Sequence, residues 1–402
     1  MSHPISTLLL VAALSSCGPA GRPVSISDAN RLSPDDGAMN HHFGSSVALG
    51  DTRIIVGAPG ASDQGLRSGA VYVYRKRNAA WTQEEKLTPA AGGAENRFGR
   101  SVALLDDLAA VASRGRMANG RHSGAVTLFQ ESDGGFLQIK SFTSTQNHDS
   151  FGASLVLSTE RLVVGAPGDT RHGIDAGAAH IYRRSDEGWL SETRLDPHRP
   201  APRVRFGAAV AIHSNRIAVG APGDPVKGPG AGAVHLFRIT SSGPVSEAVF
   251  RSPHPSPDDS YGASIALSAD RLVVGAPMED GWLRDTGAVY VYVRRSEKWT
   301  LEAQLDSGAL EGGLFFGCSV ALDGNLLLVG ARGHDVHGWE SGSAHLFKRA
   351  GSKWVADVFL APKSGGRNGF FGHAVALHGR QGVVGAYGAK VLGPWSGAAF
   401  FF

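Results

Sequence analysis

Apolar and polar positions follow one another in short blocks along this chain. A stretch rich in small residues (residues 45–49) leads into a polar turn, Gly50-Asp51-Thr52-Arg53. Next comes a nearly continuous apolar run at 54–58, then a loop of about ten residues. A second apolar run at 70–74 follows, then a polar turn at 75–80, then an alternating, charged segment at 81–87 that includes Glu84 and Lys86. Runs of this length without helical period predict β-strands. A continuous apolar run suits a strand buried on both faces, and a charged alternating one suits an outer edge. No stretch carries a helical period over three turns, so the reading is all-β, with four strands per unit.

The block recurs seven times. Its opening pairs are Phe43-Gly44, Phe98-Gly99, Phe151-Gly152, Phe206-Gly207, Tyr261-Gly262, Phe316-Gly317 and Phe371-Gly372, 53 or 55 residues apart. Thirteen residues after each of these glycines stands Gly57, Ala112, Gly165, Gly220, Gly275, Gly330 or Gly385, and a further glycine opens each third strand. A fixed period of this size signals a repeat architecture, and it overrides the multidomain expectation that 402 residues would otherwise raise. The small residues allow inner strands to crowd around an axis, whereas Phe43, Tyr72, Tyr74 and Trp81 are placed to wedge between units that broaden outwards.

The seventh unit stops at Phe402, before a fourth strand. Residues 26–32, followed by Ser33-Pro34, share the spacing of 81–87 followed by Thr88-Pro89, and Leu32 precedes Phe43 by the same eleven residues that separate Leu87 from Phe98. The N-terminal segment is therefore expected to supply the missing strand and close a ring, which hides the edges that an open array would expose. A single seven-bladed β-propeller over residues 24–402 is the predicted fold, and an open solenoid is the alternative.

Residues 5–14 are apolar but too short to span a bilayer, and they read as the core of an export signal. Leu14-Ser15-Ser16-Cys17 resembles the cleavage motif of bacterial lipoproteins. That resemblance implies a signal peptide at 1–16, lipid attachment at Cys17, a tether at 17–23, and display on the bacterial cell envelope, with secretion as the alternative. Cys318 is the only other cysteine, which excludes a disulfide framework, and packing is its expected role. A net charge of +3, from 39 basic and 36 acidic residues with no charge block, gives no footing for nucleic acid.

Phe-Gly, then Val-Gly-Ala-Pro, then Gly-Ala-Val-Tyr-Val-Tyr resemble the FG-GAP repeats of the integrin α-subunit β-propeller. The resemblance implies the propeller fold and a binding, adhesion or scaffold function. It does not bring calcium with it. The turns where that family carries an Asp-x-Asp-x-Asp-Gly loop read here as GDTR, LDDL, STER, HSNR, SADR, DGNL and HGRQ, too short and too poor in carboxylates to wrap the ion. No cofactor is expected. The proline that closes the second landmark is kept as Pro59, Pro167, Pro222 and Pro277, and is replaced by Arg114, Arg332 and Tyr387.

No motif of a known catalytic site is present, so no catalytic residue is assigned. A hydrolase or lyase acting on a surface polysaccharide or ester is the alternative function. His180, His235 and His345 share one repeat position with Tyr72, Thr127, Tyr290 and Phe400, which marks that position as structural, and no metal ligand is assigned. The loops between second and third strands vary most, and binding residues concentrate on such loops. Arg114, Arg332, His334, Asp335, Trp339, Tyr387 and Trp395 are the candidate ligand-binding residues, because Arg, Trp and Tyr anchor recognition surfaces. The expected partner is a cell-surface protein or glycan, in addition to the membrane reached through Cys17.

Overall fold

A computed structural model of the chain describes residues 22–78, 80–90, 93–113, 123–144, 149–363 and 366–402. The proposed signal segment and Cys17 lie outside these residues, as does Arg114. The described residues form seven sheets, one for each Phe/Tyr-Gly landmark, and the four strands of each blade are antiparallel. The first blade consists of Ser46–Leu49, Arg53–Ala58, Ala70–Arg77 and Ala80–Leu87, hydrogen-bonded in that order. The third strand runs three residues beyond the expected 70–74, and Arg77 pairs with Ala80, so the outer hairpin is tight.

The hydrophobic core is divided into seven clusters, and each cluster fills one interface between neighbouring blades. Seven blades in an open array would have six interfaces. The seventh cluster joins Leu32, Phe43, Val56 and Tyr72 to Val383 and Ala399, so blade 7 packs on blade 1 and the ring closes. In six blades the landmark aromatic meets the ring about halfway along the unit, on the third strand, at nearly one distance. Phe43–Tyr72, Phe151–His180, Phe206–His235, Tyr261–Tyr290, Phe316–His345 and Phe371–Phe400 have centroids 5.3–5.5 Å apart. An edge-to-face pair needs a flat ring, which imidazole supplies as well as phenol does. Burial pushes His235 down to about 4 and His345 to about 3, so both are neutral parts of the wedge.

Glycine lets the blades touch at most seams, although Ala112 takes its place in blade 2. A Cβ on Gly57 would lie 2.0 Å from the Gly99 carbonyl of the next blade, and one on Gly385 would lie 2.0 Å from the Gly44 carbonyl. The ring-closing contact thus repeats an internal one. Serine hydroxyls fasten the same seam, donating from Ser46 to the Gly99 carbonyl at 2.8 Å and from Ser319 to that of Gly372 at 2.7 Å. Tryptophans at the start of the fourth strands reach back one blade. Trp299 donates to Glu247 and Trp354 to Glu302, both at 3.0 Å.

The N-terminal segment closes the ring, but it does so in two pieces. Arg31–Leu32 pairs antiparallel with Ala398–Phe401 and completes blade 7, placing Leu32 in the closing cluster. Before it, a single 3-10 turn at Asp28–Asn30 breaks the strand expected over 26–32. Arg22–Ile26 then lies parallel to Lys353–Pro362 as a fifth strand on the outer edge of blade 6. Spacing alone indicated the buried Leu32. The parallel strand has no counterpart in the repeat, so no internal alignment could reveal it.

Candidate functional site

The connections between blades and the loops between second and third strands lie on one face, and a backbone zipper holds them together. In blade 1, Arg97 N–H donates to the Arg67 carbonyl at 2.9 Å and Phe98 N–H to that of Ser68 at 3.0 Å. The same pair of bonds recurs as Arg205 to Asp175 with Phe206 to Ala176, as Phe370 to Glu340 with Phe371 to Ser341, and as His42 to Trp395 with Phe43 to Ser396. The zipper forces the residue before each landmark into the left-handed region. His42, Arg97, Ser150, Arg205, Ser260, Phe315 and Phe370 have φ between 52° and 56°. That conformation costs a non-glycine residue about 1–2 kcal/mol.

His42, Arg97 and Ser150 also line one cavity of about 490 Å³, together with Arg67, Arg100 and the Pro59-Gly60 turn. Copies of one repeat position from successive blades can meet in one cavity only at the ring axis, so this face carries the mouth of the central channel. Arg97 donates to the Glu95 carboxylate from Nε at 3.1 Å and from Nη2 at 3.0 Å, and Arg67 reaches the same carboxylate at 3.4 Å. Although burial opposes it, the two guanidiniums hold Glu95 below its usual value. Burial, followed by Arg67 and Arg97, pushes His42 below its ordinary value.

On the blade 7 side of His42 the wall is aromatic. Tyr387 stacks on Phe370 at 5.0 Å, and Trp395 lies 5.8 Å from Phe370 and 6.0 Å from Tyr387. His42 touches both Tyr387 and Trp395 at 5.9 Å, joining the aromatic side to the cavity. Arg332 lies over Phe315 at 4.9 Å. Burial raises the Tyr387 hydroxyl, and a hydrogen bond with Arg332 opposes that shift.

The fold therefore brings Arg332, Tyr387 and Trp395 together at the mouth and separates them from the other described candidates, Trp339, Asp335 and His334. Trp339 stands 59% exposed on the outer loop, and Trp282 of the neighbouring blade is 96% exposed. Asp335 is exposed, with a carboxylate oxygen accepting the Glu340 N–H at 2.6 Å. His334 turns inward instead. It is 9% exposed, and its Nδ1 is 2.9 Å from the Ser343 hydroxyl, which in turn contacts His345 Nε2 at 3.1 Å.

The inward turn belongs to the repeat position, not to histidine. Four residues past the second landmark stand Asp169, Asp224, Glu279 and His334, all buried beneath the rim. Asp169 accepts two bonds from Arg194, at 2.7 and 2.9 Å, and Asp224 faces Arg251 at 3.3 Å. Glu279 accepts from the Tyr290 hydroxyl at 2.6 Å and from Gln304 at 3.2 Å. Among the described residues, no group of three or more His, Cys, Asp or Glu is placed to hold a metal ion. Nor is any helix among them long and apolar enough to cross a membrane.

Reading the sequence missed Arg67, Arg97, Arg100, His42 and Phe370 as mouth residues. For His42, Arg97 and Phe370 the residue before each landmark was the available signal, because it changes chemistry from blade to blade while the Phe/Tyr-Gly pair after it does not.

Fold and face together define a seven-bladed β-propeller of the kind that serves as a binding or scaffold module. The FG-GAP repeat family matches residues 26–74, 81–129, 144–182, 189–237, 247–292 and 299–347, and the chain belongs to that family. No curated protein matches the chain. The solved structures to which the chain is similar include two of low identity. One is described as the structure of YjhT, at 11% identity and a TM-score of 0.47, covering 85% of this chain and 100% of that one. The other is a functionally unknown protein from Desulfotomaculum acetoxidans DSM 771, at 10% identity and a TM-score of 0.47, covering 80% of this chain and 86% of that one.

Proposed function

We propose that this chain is a non-catalytic recognition module of the bacterial cell envelope, anchored by lipid at Cys17, with its ligand taken on the channel-mouth face. One observation carries the reading. The residue before each landmark keeps one strained backbone conformation in all seven blades, yet it is His, Arg, Ser, Arg, Ser, Phe and Phe in turn, and never Gly. Glycine would relieve the strain at no steric cost. Side chains retained there, with varied chemistry on a uniform scaffold, are the mark of a display surface.

The path of the N-terminus suits an anchor. Arg22–Ile26 runs parallel to Lys353–Pro362, which leads from an outer hairpin up to the mouth face. Arg22 follows Cys17 by five residues, which span at most roughly 18 Å when extended. An anchor at Cys17 would hold the ring from the side opposite the mouth and leave the mouth facing away from the membrane.

The test uses the tagged full chain as bait for detergent-solubilised envelope, alongside a variant carrying Arg332→Ala, Trp339→Ala and Tyr387→Ala. A protein or glycan held by the native chain and lost by the variant is the expected result. Equal retention by both would place the partner on the blade edges and overturn the mouth-face reading. Separately, Cys17→Ala is expected to release the chain from salt-washed membranes, and continued membrane fractionation would refute the anchor.

A further inference from the structure

We infer that the cavity between His42, Arg67, Arg97, Arg100 and Ser150 binds an acidic oligosaccharide, with a carboxylate or sulfate on the arginines and a sugar ring against the His42–Tyr387–Trp395 wall. The inference deepens the proposed recognition function and rests on it.

The position of the arginines is specific to this blade. Arg67 and Arg97 are the two left-handed residues of the blade 1 zipper, at φ 51° and 53°. The equivalent pairs are Asp175 with Arg205, Gly230 with Ser260, Asp285 with Phe315, Glu340 with Phe370, and Trp395 with His42. Among the described residues, blade 1 alone places two cations on this pair, and Arg100 from the same connection lines the same cavity. Arg67 and Arg97 share one carboxylate, Glu95, and among the described residues no acidic side chain lines the cavity itself. A guanidinium fork matches the planar carboxylate and the sulfate oxyanion, forming paired, charge-assisted bonds. Burial first, and then Arg67 and Arg97, push His42 down, in keeping with positive charge at the cavity.

Size and neighbourhood favour a sugar over a bare anion. A cavity of about 490 Å³ falls within the range of about 300–1,000 Å³ typical of small-molecule sites and is far larger than one oxyanion. Its His42 edge continues into Tyr387 and Trp395, both 5.9 Å away. An acidic sugar presents an anionic group and an apolar ring face side by side. An acidic peptide would use the arginines and leave the aromatic wall idle.

The test measures binding of the purified full chain to four probes by calorimetry: hexagalacturonate, a heparin-derived hexasaccharide, maltohexaose and a hexaglutamate peptide. The expected result is salt-dependent binding of one or both acidic hexasaccharides, with maltohexaose and hexaglutamate at least tenfold weaker. Arg67→Gln and Arg97→Gln should each weaken that binding by roughly tenfold to a hundredfold, as loss of a charged hydrogen bond implies. Exposed Arg100→Gln should weaken it as well, and it guards against misfolding at the strained positions. Glu95→Gln, which frees two guanidiniums, should strengthen it. Tyr387→Ala should weaken the saccharides without altering hexaglutamate.

Failure of both acidic hexasaccharides, or equal binding of hexaglutamate with no effect of Tyr387→Ala, would overturn the inference. The two readings fail separately. If Arg67→Gln/Arg97→Gln bait still captured the envelope material held by the native chain, this site would be refuted while the recognition module stood. If acidic hexasaccharides bound as expected but envelope bait captured nothing, the module reading would fail and the site would remain.

Discussion

Blades 3 and 5 bury a carboxylate at the same repeat position and treat it in opposite ways. Asp169, 1% exposed, meets the Arg194 guanidinium through two hydrogen bonds, and Arg194 also reaches Asp196 at 2.8 Å. Glu279, 8% exposed, meets Tyr290 and Gln304, neither of which carries charge. Arg194 and Gln304 occupy the same register on the fourth strand, opposite His180 and Tyr290 respectively. Burial pushes both acids upward. In blade 3 the Arg194 bonds outweigh burial and hold Asp169 below the usual carboxylate range. In blade 5 burial wins over the Tyr290 bond, with Asp259 adding to it, and Glu279 rises to about 7. A repeat thus fixes where an acid is buried, whereas one side chain on the neighbouring strand decides whether it is charged.

The largest effect should come from breaking the blade 3 pair. Arg194→Ala leaves Asp169 buried without a counter-charge, and removing one partner of such a pair costs about 3–5 kcal/mol. Urea unfolding at pH 7 checks this. Asp169→Asn combined with Arg194→Met should recover most of the loss, because the desolvated charge goes with its partner. If the single variant loses under 1 kcal/mol, the pair does not carry the stability assigned to it.

The next effect is one of pH. A carboxyl whose folded value lies above its unfolded one binds more protons in the native state, so stability falls as pH rises between the two values. For Glu279 that window runs from its ordinary value of 4.5 up to about 7, and the penalty is constant above it. A shift of this size corresponds to on the order of 3 kcal/mol. Asp169 works the other way: its contribution is complete above the ordinary value of 3.8 and is lost as pH falls through the lower folded value. Glu279→Gln keeps an acceptor for Tyr290 and removes the titration. Relative to the native chain, it should gain stability between pH 5 and pH 8, as read from paired urea titrations. A difference between the two proteins that does not change with pH would refute the raised value.

The contrast between these blades also shows what could be read from the chain. Ring closure was legible because Leu32 has the spacing of Leu87 and is buried with Phe43 for the same reason that Leu87 is buried with Phe98. The wedge histidines were legible because their position also accepts Tyr and Phe. His334 lies in a variable loop, which points to display, but its repeat column holds Asp169, Asp224 and Glu279, all turned inward. Variability marks a loop, and only backbone geometry says which way each residue faces. The Arg67–Arg97–Arg100 cavity was hidden for a related reason. Its residues lie at three different repeat positions up to 33 apart, and a blade-to-blade zipper brings them together. The parallel strand Arg22–Ile26 owes nothing to the repeat and was invisible to it.

The smallest change sharpens the comparison most, since it turns one blade into the other. Gln304 is exposed, with its amide 3.2 Å from Glu279, so the longer side chain of Gln304→Arg has room to extend over the carboxylate as Arg194 does over Asp169. The new guanidinium should draw Glu279 back toward the ordinary carboxylate range and remove most of the slope between pH 5 and pH 8. The stability gained at pH 8 should be about 1–2 kcal/mol, less than the penalty relieved, because the arginine side chain gives up rotamer freedom of its own. At pH 5, where Glu279 is protonated in the native chain, the same substitution should change little. Gain at both pH values alike would mean that the arginine stabilises by packing over the rim. Gain only at high pH would mean that the missing cation alone separates blade 5 from blade 3.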